Sequence, residues 1–194
     1  MNPLPSLTHK ADQLAALLRG GVFTHMDGQV MGEEDGLGRG LGLLNGSRQE
    51  RNRLYLVGNG GSNAVIAHVA NDFLKTCHCL VHILHDPATL TCLANDYGYE
   101  NAYATALSIL ARPGDLLIAV SSSGRSANIL NAVQAMTQAG GQVMTFSGFA
   151  PDNPLRQLGQ WNYWIPSSHY GLVEIAHLVV LHHLAECLAN QDTL

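Results

Sequence analysis

Leu54-Tyr55-Leu56-Val57, then Gly58-Asn59-Gly60-Gly61-Ser62, then a helical stretch from Asn63: this run decides the fold. A second run repeats the arrangement downstream. Leu116-Leu117-Ile118-Ala119-Val120 leads into Ser121-Ser122-Ser123-Gly124-Arg125-Ser126 and a helical stretch from Ala127. A helix start offers unbonded N–H groups at the positive end of a dipole, so each junction is a place to hold an anion. Glycine lets the backbone approach a ligand closely, and serine hydroxyls add donors without adding charge. Two such junctions at the carboxyl ends of parallel strands predict a phosphorylated small molecule as ligand.

Outward from these loops the alternation continues. Strands are expected at 53–57, 79–85, 115–120, 142–147 and 161–165, and helices at 63–76, 88–94, 101–111, 127–139 and 171–189. Asp115, Gly140-Gly141 and Pro166 punctuate them as turn residues. The pattern predicts an α/β fold, a three-layer αβα sandwich around a mainly parallel five-stranded sheet. Towards the N-terminus, residues 6–19 read as an amphipathic helix capped by Ser6 or Thr8, with Leu7, Ala11, Leu14, Ala15 and Leu18 on one stripe. Residues 28–46 carry two readings, because Gly28, Gly32, Gly36 and Gly40 recur at a spacing of four. Each glycine costs a helix about 1 kcal/mol against alanine, which argues for a loop. The same stripe would let a helix pack closely on another subunit, with Leu37, Leu41 and Leu44 adding apolar contacts. The expected organisation is a helical, oligomerising extension over residues 1–50 and an α/β domain over 51–194.

Composition narrows the function classes. With 194 residues, 46% hydrophobic and 13% charged, the chain reads as one globular domain with a sparsely charged surface, as oligomer burial requires. A formal net charge of -5 supplies no basic field for nucleic acid. No apolar stretch is expected to reach the length needed to span a bilayer, and Met1-Asn2-Pro3-Leu4-Pro5 lacks the charge and apolar block of a signal peptide, so a cytoplasmic location is expected. Cys77-His78-Cys79 is too tightly spaced for a metal motif, and Cys77, Cys79, Cys92 and Cys187 read as buried free thiols.

Gly58-Asn59-Gly60-Gly61-Ser62, Ala94-Asn95-Asp96-Tyr97-Gly98 and Ser121 to Asn128 together resemble the three signature segments of the sugar isomerase (SIS) domain family, in its phosphoheptose isomerase branch. The similarity runs from about residue 50 to the C-terminus. It implies an SIS fold, a homotetramer built on N-terminal helices, and a cytoplasmic enzyme acting on sedoheptulose 7-phosphate. Carried over by position, Ser121, Ser122, Ser123 and Ser126 match the loop that grips the phosphate. Asn59, Gly60, Gly61, Asn95 and Asp96 match contacts to the sugar chain, and Ser62 caps the following helix while facing the pocket. Ser62 and Ser126 also fit a purely capping role.

The family's chemistry uses a histidine and a glutamate four apart on the first helix, joined by a glutamine and a histidine eight apart on the last helix. Those four can hold a divalent metal, usually zinc. Here the first pair is His68 and Asp72, on one helix face. The simplest frame of the last helix places Val173 and Leu181 at the other two positions, with His177 midway on the same stripe. A one-residue shift places Glu174 and His182 there instead. In the first frame His177 supplies the missing imidazole, unless it is a satisfied histidine of an apolar helix. His182 and His183 then read as a helix-face pair at a subunit interface. His82 is expected to pack within its strand; His85 could touch a substrate hydroxyl; Asp86 and Asp96 could cap turns.

The resemblance implies aldose–ketose isomerisation through a cis-enediol. Asp72 is the expected base or metal ligand, His68 the metal ligand or acid, and His177 the partner on the facing helix. A metal held by His68, Asp72 and His177 would have N/O ligands, for which zinc, nickel, iron and cobalt qualify. Two alternatives accompany this reading. One is a non-catalytic SIS scaffold resembling the initiator-associating protein of bacterial replication, favoured by Val173 and Leu181. The other is an isomerase for a different phosphorylated sugar.

Overall fold

A computed structural model describes residues 6–191. Five strands lie where alternation placed them: β3 (Arg53–Gly58), β4 (Leu80–Ile83), β5 (Leu116–Ser121), β6 (Gln142–Ser147) and β7 (Trp161–Trp164). They are parallel, with β3 between β4 and β5. Two further strands, β1 (Val22–His25) and β2 (Val30–Met31), extend the sheet to seven in the order β2-β1-β7-β6-β5-β3-β4. Strand β1 runs antiparallel to β7, and β2 antiparallel to β1. The expected five-stranded sheet is thus enlarged by a hairpin from the segment assigned to a helical extension, so residues before 51 are continuous with the core.

Both sheet faces are apolar because each parallel strand is covered twice. Alternate residues divide between them: Leu54, Leu56, Leu116, Ile118 and Val120 enter one core, while Tyr55, Val57, Leu117 and Ala119 enter the other. The first core is closed by α1 (Leu7–Arg19), α2 (Glu33–Gln49), α3 (Gly60–Lys75) and α7 (Tyr170–Asn190). The second is closed by α4 (Pro87–Tyr97), α5 (Ala102–Leu110) and α6 (Ala127–Gln138). Ser6 caps α1, accepting from the His9 N–H at 3.4 Å.

The glycine-rich segment is a helix, and its partner is this chain's own sheet. A Cβ on Gly36 would come within 2.4 Å of the Phe23 ring, and one on Gly40 within 3.1 Å of Trp161. Trp161 Nε1 donates to the Gly36 carbonyl at 2.6 Å, which that close approach makes possible. Glu33, Glu34 and Asp35 in the first turn complement the helix dipole. Gly28, at φ +82, instead turns the β1–β2 hairpin.

Helix α7 corrects a second expectation. Within its 21 residues an 18-residue window has mean hydropathy 1.5, long and apolar enough to cross a membrane, yet half of that window is buried, and the helix packs against α3 and the sheet as a core helix. Cys77 and Cys79 are buried as expected, and burial pushes the Cys79 thiol up to about 12. Cys92 is exposed and Cys187 only half-buried, contrary to expectation.

Candidate functional site

At the end of β3 the chain must turn at once into α3. Asn59 is the extended N-cap residue, and Gly60 takes φ +50 in the first helical position. Gly58 has backbone of Ser62 within 2.9 Å of where a Cβ would stand, so only glycine fits. At the end of β5, Gly124 adopts φ +64 and donates to the Ser121 carbonyl at 2.9 Å. Asn153, fully buried, braces this serine loop: it donates to Ser147 Oγ and to the Gly148 and Ala150 carbonyls. Gly148 N–H in turn donates to the Ser122 carbonyl at 2.9 Å.

Between the two loops lies a cavity of about 220 Å³, lined by Asn59, Gly60, Gly61, Ser62, Ser121, Ser122, Ser123, Ser126, Tyr170 and Glu174. Eight of these are the loop positions singled out from sequence. Ser62 and Ser122 place their Oγ atoms 3.4 Å apart, and Ser121 donates to Ser126 Oγ at 3.2 Å. Neither N-cap, Asn59 for α3 or Ser126 for α6, makes a side-chain capping bond. Neither helix start is closed by its own cap side chain, as an anion-binding helix start requires. Ser62 is the third residue of α3, so its expected capping role does not arise. The Asn59 amide is spent elsewhere, in reciprocal 2.8 Å bonds with Asn128 and as acceptor from the Tyr99 hydroxyl. Tyr103 donates to the Gly58 carbonyl, and burial pushes its phenol up to about 12. Arg125 turns away from the cavity towards Asp152, 3.9 Å distant on the exposed surface.

Asn95 and Asp96 do not join the cavity. They lie exposed at the C-terminal end of α4, where Asn95 donates to Asp96 at 2.9 Å. Asp96 therefore caps no helix start, whereas Asp86 does cap α4 through the Thr89 N–H. His85 is half-buried, with an Nδ1 that has no partner among the described residues. His82 is exposed on β4 beside the Tyr55 ring; desolvation lowers its pKa, with Arg53 adding to the shift.

A titratable cluster lies farther along α3 and α7. His182 Nδ1 stands 2.8 Å from Asp72 Oδ2, and the His68 ring meets His182 edge-on at 5.0 Å. His177 is elsewhere. It is fully buried, bonds the Ser147 carbonyl through Nε2 at 3.0 Å, and packs on Phe146 and Tyr163. Burial lowers its pKa to about 4. The expectation that His177 partners His68 and Asp72 is corrected by helix geometry: five residues separate His177 from His182, about 140° around the axis. Val173, His177 and Leu181 form the stripe facing the sheet, all fully buried. The shifted frame holds instead: Glu174 reaches the cavity and His182 reaches Asp72.

The expected metal set of His68, Asp72 and His177 does not assemble. Among the described residues no three His, Cys, Asp or Glu side chains converge on a metal position. One imidazole faces the sheet, and the Nδ1 of the other candidate is engaged by Asp72. A larger cavity of about 580 Å³ lies beside α2, next to Gly114 and Gly140, at the ends of the strands opposite the two loops.

Tyr170 had no signal in the sequence, being one aromatic at an uncapped helix start. Glu174 and His182 were present as the alternative frame.

Residues 29–148 match the family model described as SIS domain. The phosphoheptose isomerase of Thiobacillus denitrificans is 31% identical over 158 residues, covering 77% of this chain and 80% of that protein. That of Roseiflexus sp. is 34% identical over 140 residues, covering 69% and 71%. The solved phosphoheptose isomerase from Neisseria gonorrhoeae superposes with a TM-score of 0.80 over 96% of each chain at 22% identity, a shared fold.

Proposed function

Because this chain belongs to the SIS-domain family, with phosphoheptose isomerases among its relatives, we propose that it is a sugar-phosphate isomerase that interconverts sedoheptulose 7-phosphate and D-glycero-D-manno-heptose 7-phosphate. The phosphate sits between the uncapped starts of α3 and α6, against Ser121, Ser123 and Ser126. Among the described residues no lysine or arginine lines that cavity, so neutral donors and helix dipoles supply the attraction.

The observation that carries catalysis is the 2.8 Å contact of His182 with Asp72, with His68 beside it, on the two helices that begin at the anion cavity. From Glu174 to His182 is eight residues, about 12 Å along the axis, which favours an extended open-chain sugar over a ring. Asp72 takes a proton from C1 of the ketose while an imidazolium of the His68/His182 pair protonates the C2 oxygen. The resulting cis-enediol recovers a proton at C2 and loses the one on the C1 oxygen, giving the aldose. Aspartate, one methylene shorter than glutamate, gains its orientation from His182. No step is assigned to a metal, because the donors do not converge.

The scaffold alternative drew its support from Val173 and Leu181 at ligand positions. Both face the core, so they no longer argue for it. A cytoplasmic homotetramer accompanies the proposal, supported by exposed Ile175 and Val179 on α7 beside the titratable cluster.

Incubation with sedoheptulose 7-phosphate, followed by detection of the aldose, tests this reading. Asp72→Asn should lower kcat by about 10²-fold or more while leaving sugar-phosphate binding in place. Equal turnover by the variant would overturn the assignment.

A further inference from the structure

Among the described residues, Glu174 is the one formally charged residue lining the anion cavity. Its carboxylate lies directly over Gly61: a Cβ there would come within 2.2 Å of Oε2 and 2.4 Å of Oε1, so both oxygens face the glycine loop. None of the ion pairs among the described residues involves it, and the nearest loop cation, Arg125, faces Asp152. An unpaired anion in a cavity built for an anion needs an explanation. Close like charges repel strongly where water is excluded. A carboxylate can only accept hydrogen bonds, so the ligand must bring donors to it. Inorganic phosphate brings none beyond its own acid protons. A phosphate ester of a polyhydroxylated chain brings hydroxyls on the carbons next to the ester.

We infer that Glu174 is a specificity-determining residue that makes the cavity prefer a hydroxylated phosphate ester over free phosphate. The inference rests on the phosphate placement proposed above and names what reads the rest of the ligand. Repulsion from Glu174 weakens every phosphate ligand, and the hydroxyls next to the ester restore binding by donating to its oxygens. Gly61 is what lets the carboxylate stand this close to the loop. The design is negative as well as positive, rejecting the wrong ligand by charge while rewarding the right one by hydrogen bonding.

Calorimetric titration of the full chain with inorganic phosphate and with sedoheptulose 7-phosphate tests it, in wild type, Glu174→Gln and Glu174→Asp. In Glu174→Gln, inorganic phosphate should bind about tenfold tighter while the sugar phosphate binds no tighter, so the preference collapses. Glu174→Asp keeps the charge and should keep phosphate weak, which separates charge from disturbed packing. Unchanged phosphate affinity in Glu174→Gln would overturn the inference, as would equal tightening of both ligands. Failure of every protein to bind either ligand would instead overturn the phosphate site itself, and this inference with it.

Discussion

Two histidines five residues apart on one helix have opposite fates. His182 meets Asp72 at the half-exposed junction of α3 and α7, whereas His177 is sealed against Phe146, Tyr163 and the Ser147 carbonyl. Donation to that carbonyl fixes the Nε2–H tautomer and leaves Nδ1 without a partner, so the neutral ring is the form this site holds. The consequence for stability follows from linkage. The folded pKa, about 4, lies below the ordinary histidine value of 6.5, so between those limits the unfolded chain binds the extra proton. The stabilisation is therefore full above pH 6.5 and is lost as pH falls towards 4. Its size is on the order of 3 kcal/mol. Urea unfolding at pH 7 and pH 5 should show wild-type stability falling with acid, and His177→Leu should flatten that dependence. A variant with the same slope as wild type would remove His177 as its source.

At the scale of elements, glycine is used for closeness in one face of α2 and left unused in the other. Gly36 faces the Phe23 ring at a distance no Cβ tolerates, while Gly38 has open space around it. Intrinsic propensity favours alanine at both positions by about 1 kcal/mol. Gly38→Ala should therefore stabilise by up to that amount, and Gly36→Ala should destabilise by roughly 1–3 kcal/mol as the Phe23 contact is overpacked. Chemical denaturation of both variants, with opposite signs expected, checks the assignment. The serine loop makes the same point functionally. Gly124 combines φ +64 with Asn153 Oδ1 only 1.9 Å from a would-be Cβ, so Gly124→Ala should displace the loop and weaken sugar-phosphate binding by about tenfold or more. Titration calorimetry reads that loss directly.

For the whole molecule, the seven-stranded sheet buries both faces and brings two helix starts to one cavity, while the titratable cluster sits where α3 and α7 reach the surface. Ile175 is 48% exposed and Val179 40% exposed along that same surface. A sparsely charged chain that leaves such residues uncovered is expected to cover them with another copy. Sedimentation should give four times the chain mass, and Val179→Asp should yield smaller species. A monomeric wild type would leave the cluster in open solvent and argue against the enediol role.

Local pattern alone placed β3 to β7, their helices and both glycine and serine loops, because a parallel sheet writes continuous apolar runs and glycine or serine turns directly into the chain. The β1–β2 hairpin escaped because its strands have four and two residues, too short for periodicity, although Asp27-Gly28 carried a turn signal. The frame of the last helix could not be read in the same way. Helix α7 is apolar nearly all round, with mean hydropathy 1.5 over an 18-residue window, so no polar stripe announces which side meets α3. Only packing in three dimensions assigned His177 to the sheet and gave Glu174 to the cavity and His182 to Asp72, since a side chain's direction on a uniformly apolar helix is set by what lies beside it.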